Sequence, residues 1–112
     1  MCLFCQIANK EIAAKILFED DELVAFSDIH PAAPTHALVI PRRHLVSLNE
    51  AVPADAELLG KMLLAAQRVA REAKISDSGW RVVVNNGAHA GQSVFHVHVH
   101  VLGGRSMAWP PG

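Results

Sequence analysis

His96-Val97-His98-Val99-His100-Val101 alternates imidazole and valine without a break. Strict alternation is the period of an extended chain, where successive side chains point to opposite faces. A helix would scatter the three imidazoles around its circumference. The stretch therefore predicts a strand with three histidines on one face and three valines entering the core on the other. Imidazoles on one face stand about 6.6 Å apart along a strand, which separates the first from the third by about 13 Å. One zinc ion, whose nitrogen ligands sit at about 2.0–2.1 Å, fits three such ligands awkwardly. A division of labour follows: one histidine serves a neighbouring site and the others face a reaction centre.

Outward from this stretch, the strand is expected over Val94 to Leu102, with Gly103-Gly104 stopping it. A loop with two glycines, Asn86 to Gly91, precedes it, and Trp80 to Asn85 (WRVVVN) forms another strand. Pro53 to Lys74 carries Leu58, Met62, Ala65, Ala66, Val69 and Ala73 at helical spacing, so it predicts one long helix. Pro53, Asp55 and Glu57 suit its first turn, and Arg71 and Lys74 its last. Lys15 to Glu19 and Leu23 to Asp28 form a hairpin around Asp20-Asp21. Pro31 and Pro34 make the next segment a loop, and His36 to Arg42 reads as a buried strand ended by Pro41. Leu3 to Asn9 supplies a short helix or turn. The β-runs lie too close together for helical crossovers. The expected architecture is α+β: a five-stranded, mostly antiparallel sheet, one long helix and a short N-terminal helix.

The 112 residues suit one domain spanning 1–112. Hydrophobic residues make up 51%, enough for a core and too many for a disordered tail. Ten Lys and Arg against eleven Asp and Glu give a net charge of −1, which excludes a basic nucleic-acid clamp. No stretch approaches the ~20 apolar residues of a membrane span, and residues 1–10 lack a leader's basic and apolar regions. A soluble cytoplasmic protein without membrane or nucleic-acid partners is expected. In a reducing compartment, Cys2-x-x-Cys5 points to metal binding or redox work rather than a structural disulfide. No strand precedes Cys2, as redox motifs of this spacing usually require.

His96-Val97-His98-Val99-His100-Val101-Leu102 resembles the signature of the histidine triad (HIT) family. The resemblance extends through Phe26-Ser27-Asp28-Ile29, Pro34-Thr35-His36, Val39-Ile40-Pro41, Asn85-Asn86-Gly87 and Gly91-Gln92-Ser93-Val94. The tail Gly103-Gly104-Arg105-Ser106-Met107-Ala108-Trp109-Pro110-Pro111-Gly112 resembles the Hint branch, the nucleoside phosphoramidases. The resemblance implies a homodimer that hydrolyses phosphoramidates of purine nucleoside monophosphates, or acyl-adenylates. A dinucleoside polyphosphate hydrolase and a nucleotide-binding regulatory or scaffold protein are the alternatives. The tail disfavours the first of these, and His100 disfavours a nucleotidyl transferase, which usually carries Gln there.

The resemblance makes His98 the nucleophile, forming a nucleotidyl-histidine that water then hydrolyses. It implies that His100 binds a phosphate oxygen, that His36 holds the proton inventory, and that Ser93 bonds the phosphate or leaving nitrogen. Asn85 and the backbone of Gly91, Gln92 and Ser93 would approach the phosphate. Asp28 would accept from the ribose hydroxyls, and Ile29, Phe18, Phe26 and Leu38 would enclose the base. Trp109 would reach toward the partner's site or pack on its own subunit. No cofactor is implied for catalysis. A structural zinc is implied, held by Cys2, Cys5, His44 and His96. His30, His89, Arg42, Arg43 and Arg105 are expected to be solvated. Ala108, Asn86 and Phe95 stand where many Hint-branch members carry His, an acidic residue and Tyr; these departures bear on the leaving amine.

Overall fold

The computed structural model describes residues 2–112. Five strands form one sheet: β1 (Ile16–Glu19), β2 (Leu23–Ser27), β3 (Thr35–Pro41), β4 (Trp80–Val83) and β5 (Val99–Gly103), in spatial order β1-β2-β3-β5-β4. Every pairing is antiparallel. The short helix α1 (Leu3–Ala8) lies on one face and the long helix α2 (Ala56–Glu72) on the other. The expected α+β architecture is the one observed.

The strands alternate as their sequences require. Leu23, Ala25, Ala37, Val39, Val97, Val99 and Val101 meet Met62, Ala65, Ala66 and Val69 of α2. Val24, Phe26, Leu38 and Ile40 point the other way, onto Phe4, Ile7 and Ala8 of α1. His36, one residue before Ala37, shares that second face. The β1–β2 turn is held by Asp20, whose Oδ1 accepts from the N–H groups of Glu22 and Leu23, both at 2.8 Å.

Three expectations need correction. The histidine segment is not ladder-paired along its whole length: β5 starts at Val99, and 94–98 lie outside it. Pro41 has no N–H to continue the β3–β5 ladder beyond Val39–Val99. Val97 N–H instead donates to Leu45 O at 2.5 Å. The facing pattern survives this, since Val97, Val99 and Val101 are all buried against α2. The long helix begins as a separate 3-10 turn, Pro53–Asp55. There the buried Asp55 accepts from Val52 N–H and Arg43, which settles it outside α2 proper. The third correction is in β1. Ile16 pairs with Phe26 and Phe18 with Ala25, so a bulge at Leu17 shifts the register. Ile16 therefore packs on the α1 face while Phe18 packs on the α2 face, with the Arg68 guanidinium 4.0 Å above its ring.

Candidate active site

His98 and His100 stand beside each other, ring centroids 4.9 Å apart. The hydrogen bonds assign their protons, because backbone groups have fixed roles as donor or acceptor. His98 Nδ1 lies 2.7 Å from His96 O, so Nδ1 carries the proton and Nε2 the free lone pair. Ala32 N–H donates to His36 Nδ1 at 2.9 Å, so the His36 proton is on Nε2. That N–H faces His100 Nδ1 at 2.9 Å, which leaves the His100 proton on Nε2. Two adjacent imidazoles thus have opposite polarity: His98 Nε2 offers a lone pair and His100 Nε2 an N–H. Asp28 Oδ2 lies 3.3 Å from His36 Nε2, and Oδ1 accepts from His30 N–H at 2.8 Å.

Both histidines open onto a cleft of 260 Å³ that also reaches Phe26, Asp28, Ile29, Leu38 and Ser93. Six cleft residues come from parts of the N-terminal region to which no role had been given: Leu3, Phe4, Ile7, Ile12, Ala13 and Ala14. Only the i,i+3 spacing of Phe4 and Ile7 on a short amphipathic helix could have signalled this. His30, expected in solvent, lines the cleft's lip. Phe18 does not join it, for the bulge turns its ring to the α2 face. Asn85 is not among the lining residues and lies two positions beyond the Val83–His100 pair.

The Gly91-Gln92 backbone is also a correction. Gly91 N–H donates to Ala88 O and Gln92 N–H to Gly87 O, so neither is free for an anion. The buried Gln92 side chain accepts from Gly87 N–H and donates to Val46 O and Val94 O. It shapes the loop that presents Ser93. Gly91 supplies the left-handed residue, φ +81°, that ends the turn. Trp109 is 80% exposed, and the Arg81 guanidinium lies 5.9 Å from its ring, so within one chain it packs beside β4 and not in the cleft.

Cys2, Cys5, His44 and His96 form a second cluster, each offering one donor atom, all within 4.8 Å of one another. Cys2 Sγ is 3.3 Å from His96 Nδ1; Cys5 Sγ is 3.3 Å from His44 Nδ1 and 3.5 Å from His96 Nδ1. Zinc at its usual bond lengths sets tetrahedral sulfur–nitrogen edges of about 3.6 Å. The fully buried His96 gives Nε2–H to Pro41 O at 2.7 Å, which turns the Nδ1 lone pair toward the thiols. Burial pushes the Cys5 thiol up, and Cys2 beside it pushes it further. Two sulfurs and two imidazole nitrogens at these spacings form a donor set that fits zinc. The zinc would fasten the start of α1 to the segment that carries the triad.

Burial lowers His98, and burial followed by His98 and His36 brings His100 from its usual 6.5 to about 4. The unfolded chain takes up a proton at His100 near 6.5, and the folded chain only near 4. Between these values the unfolded state binds more protons, so stability rises with pH across that window. It is fully present above 6.5 and is lost as pH falls through 4. The urea midpoint of metal-free protein should therefore decline from pH 6.5 to 4.5, and His100→Asn should flatten the decline. An unchanged slope in that variant would place the titration elsewhere.

A paired-imidazole site at the start of an internal strand of an antiparallel sheet, facing a cleft with one carboxylate, defines the class of fold and site. Residues 9–107 match the HIT domain model. The chain is 50% identical to an uncharacterized HIT-like protein of Synechocystis over 110 residues, 98% of this chain and 96% of that protein. It superposes on a HIT family hydrolase from Legionella pneumophila with a TM-score of 0.98 and 47% identity, covering all of both chains. A zinc-bound histidine triad family protein from Mycobacterium smegmatis is 35% identical, with a TM-score of 0.83 over 94% of this chain and 76% of that one. The chain belongs to the HIT family.

Proposed function

We propose that the protein hydrolyses purine nucleoside 5′-phosphoramidates and acyl nucleotides through a covalent nucleotidyl-His98. The observation that carries this reading is the opposed polarity of His98 Nε2 and His100 Nε2–H on one cleft. The base would lie between Phe4, Ile7, Phe26, Ile29 and Leu38, and the ribose hydroxyls would donate to Asp28. His98 Nε2 attacks the α-phosphorus while His100 Nε2–H holds an equatorial oxygen. The P–N bond to the amine breaks, and the leaving nitrogen takes a proton from solvent beside Ser93. His98 is then imidazolium-like, its Nδ1–H steadied by His96 O. Water adds to phosphorus and gives up one proton to solvent, the P–Nε2 electron pair returns to Nε2, and His98 regains its neutral form. Division into two displacements lowers each barrier, and an aligned donor at the phosphate adds about 3–4 kcal/mol.

Zinc in the Cys2, Cys5, His44, His96 cluster is structural in this reading and takes no part in the steps. A cysteine pair read as metal ligands goes with a reducing, cytoplasmic setting. A homodimer is supported by the unpaired outer side of β4 and by Leu63 and Leu64, 52% and 64% exposed on α2. Among the described residues no helix is long and apolar enough to cross a membrane.

Adenosine 5′-phosphoramidate should turn over at about 1 s⁻¹ or faster, and diadenosine polyphosphates far more slowly. The reverse preference, or inertness toward both, would overturn the reading. Light scattering should give twice the chain mass, and a monomer would remove the dimer.

A further inference from the structure

The turn that follows β5 grips the loop that carries the site. Arg105 sends Nε and Nη2 to one oxygen, Ala32 O, at 3.3 and 2.9 Å, and Nη1 to Ser106 O at 3.0 Å. Gly104, at φ +91°, lies against Pro34 so closely that an added Cβ would come within 2.9 Å of the proline ring. The loop between β2 and β3 is thus held at Ala32 and at Pro34 from the same turn. It bears Asp28 and Ile29 at one end and leads into His36 at the other.

We propose that Arg105 is a positioning residue for the histidine relay, acting through Ala32 on the tautomer of His36. Ala32 is bonded on both sides of its Cα: its carbonyl takes Arg105 and its N–H goes to His36 Nδ1. The carbonyl bond fixes the local chain direction and so aims the N–H. That N–H, with the Asp28 carboxylate 3.3 Å from Nε2, requires the His36 proton to sit on Nε2, and it is the only one of the two that acts at Nδ1. Released, His36 can carry its proton on Nδ1 and present a lone pair to His100 Nδ1. His100 must then place its own proton on Nδ1, leaving a lone pair on Nε2 toward the phosphate. A donor for the anion becomes a repulsive acceptor. Arg105 suits this task because two of its N–H groups converge on one oxygen, which a lysine ammonium does not reproduce in the same fixed fork.

The catalytic part of this inference rests on the phosphoramidase reading, but the tautomer part does not. The test uses the full chain labelled at histidine nitrogen, with long-range proton–nitrogen spectra of the imidazoles. Wild type should show His36 protonated on Nε2. Arg105→Met, which keeps the apolar stem, should show a mixture of tautomers and faster exchange of the Ala32 amide; Arg105→Lys should fall between. With adenosine 5′-phosphoramidate, Arg105→Met should lower kcat about tenfold while AMP affinity changes less. A wild-type His36 tautomer in Arg105→Met overturns the proposal. A shifted tautomer in a protein whose parent leaves phosphoramidates intact keeps the clamp and removes the substrate reading.

Discussion

Replacing His98 with alanine is expected to lower turnover of adenosine 5′-phosphoramidate by a factor of about 10⁴ or more, as loss of a covalent nucleophile commonly does. The remaining donors, His100 Nε2–H and Ser93, cannot form the P–N bond to the protein. AMP should still bind within a few-fold, because the proposed base and ribose contacts, Phe4, Phe26, Asp28, Ile29 and Leu38, line the cleft from other elements. His98 is buried with its ring 5.0 Å from Phe4, so the variant should melt somewhat lower while keeping its fold. Single-turnover assays and AMP calorimetry on the same sample separate chemistry from binding. Retention of even a hundredth of the parental rate would remove His98 as nucleophile.

The second large effect is expected from the metal cluster. Protein purified without chelator should contain one zinc per chain. Chelation, or Cys5→Ser, should lower the melting temperature by about 15 °C. A ligand present at ~1,000 times its dissociation constant adds about 4 kcal/mol, and a domain of this size shifts by about 4 °C per kcal/mol. The helix that the metal would fasten has only six residues, too few to persist unaided. Phe4 sits beside the ligand Cys5 and meets the rings of both His96 and His98, at 6.1 and 5.0 Å. AMP affinity should fall along with the melting temperature, and by linkage AMP should tighten zinc binding by the same factor. Metal-free protein with unchanged melting would leave the four residues as a simple hydrogen-bonded cluster.

Much of this was legible in the sequence because period-two and period-3.6 patterns are imposed by backbone geometry. Alternation put Val97, Val99 and Val101 in the core and His98 and His100 together on the other face. It did so even though ladder pairing stops at Val99, since facing depends on extended dihedrals and not on a neighbour's hydrogen bonds. The Cys2-x-x-Cys5 pair pointed to metal or redox work by itself, but its partners His44 and His96 were legible only through the family resemblance; nothing local links Cys2 to His96, 94 positions away. Phe18 failed because one extra residue inverts facing without leaving any mark in composition. Gln92 failed because a motif residue beside a phosphate site looks like a ligand until its amide is found bonded on three sides. Arg105 failed because an exposed arginine carries no signal of what its guanidinium meets; only the folded chain brings it to Ala32.

The bulge at Leu17 lets the two ends of one four-residue strand serve opposite layers. Ile16 and Phe18 sit opposite Phe26 and Ala25, which are neighbours in β2. Deleting Leu17 would make them neighbours too and would leave each on the side of the sheet it already occupies. The extra residue is a spacer at the outer rim of the sheet, one the chain could shed without exchanging a side chain between the two layers.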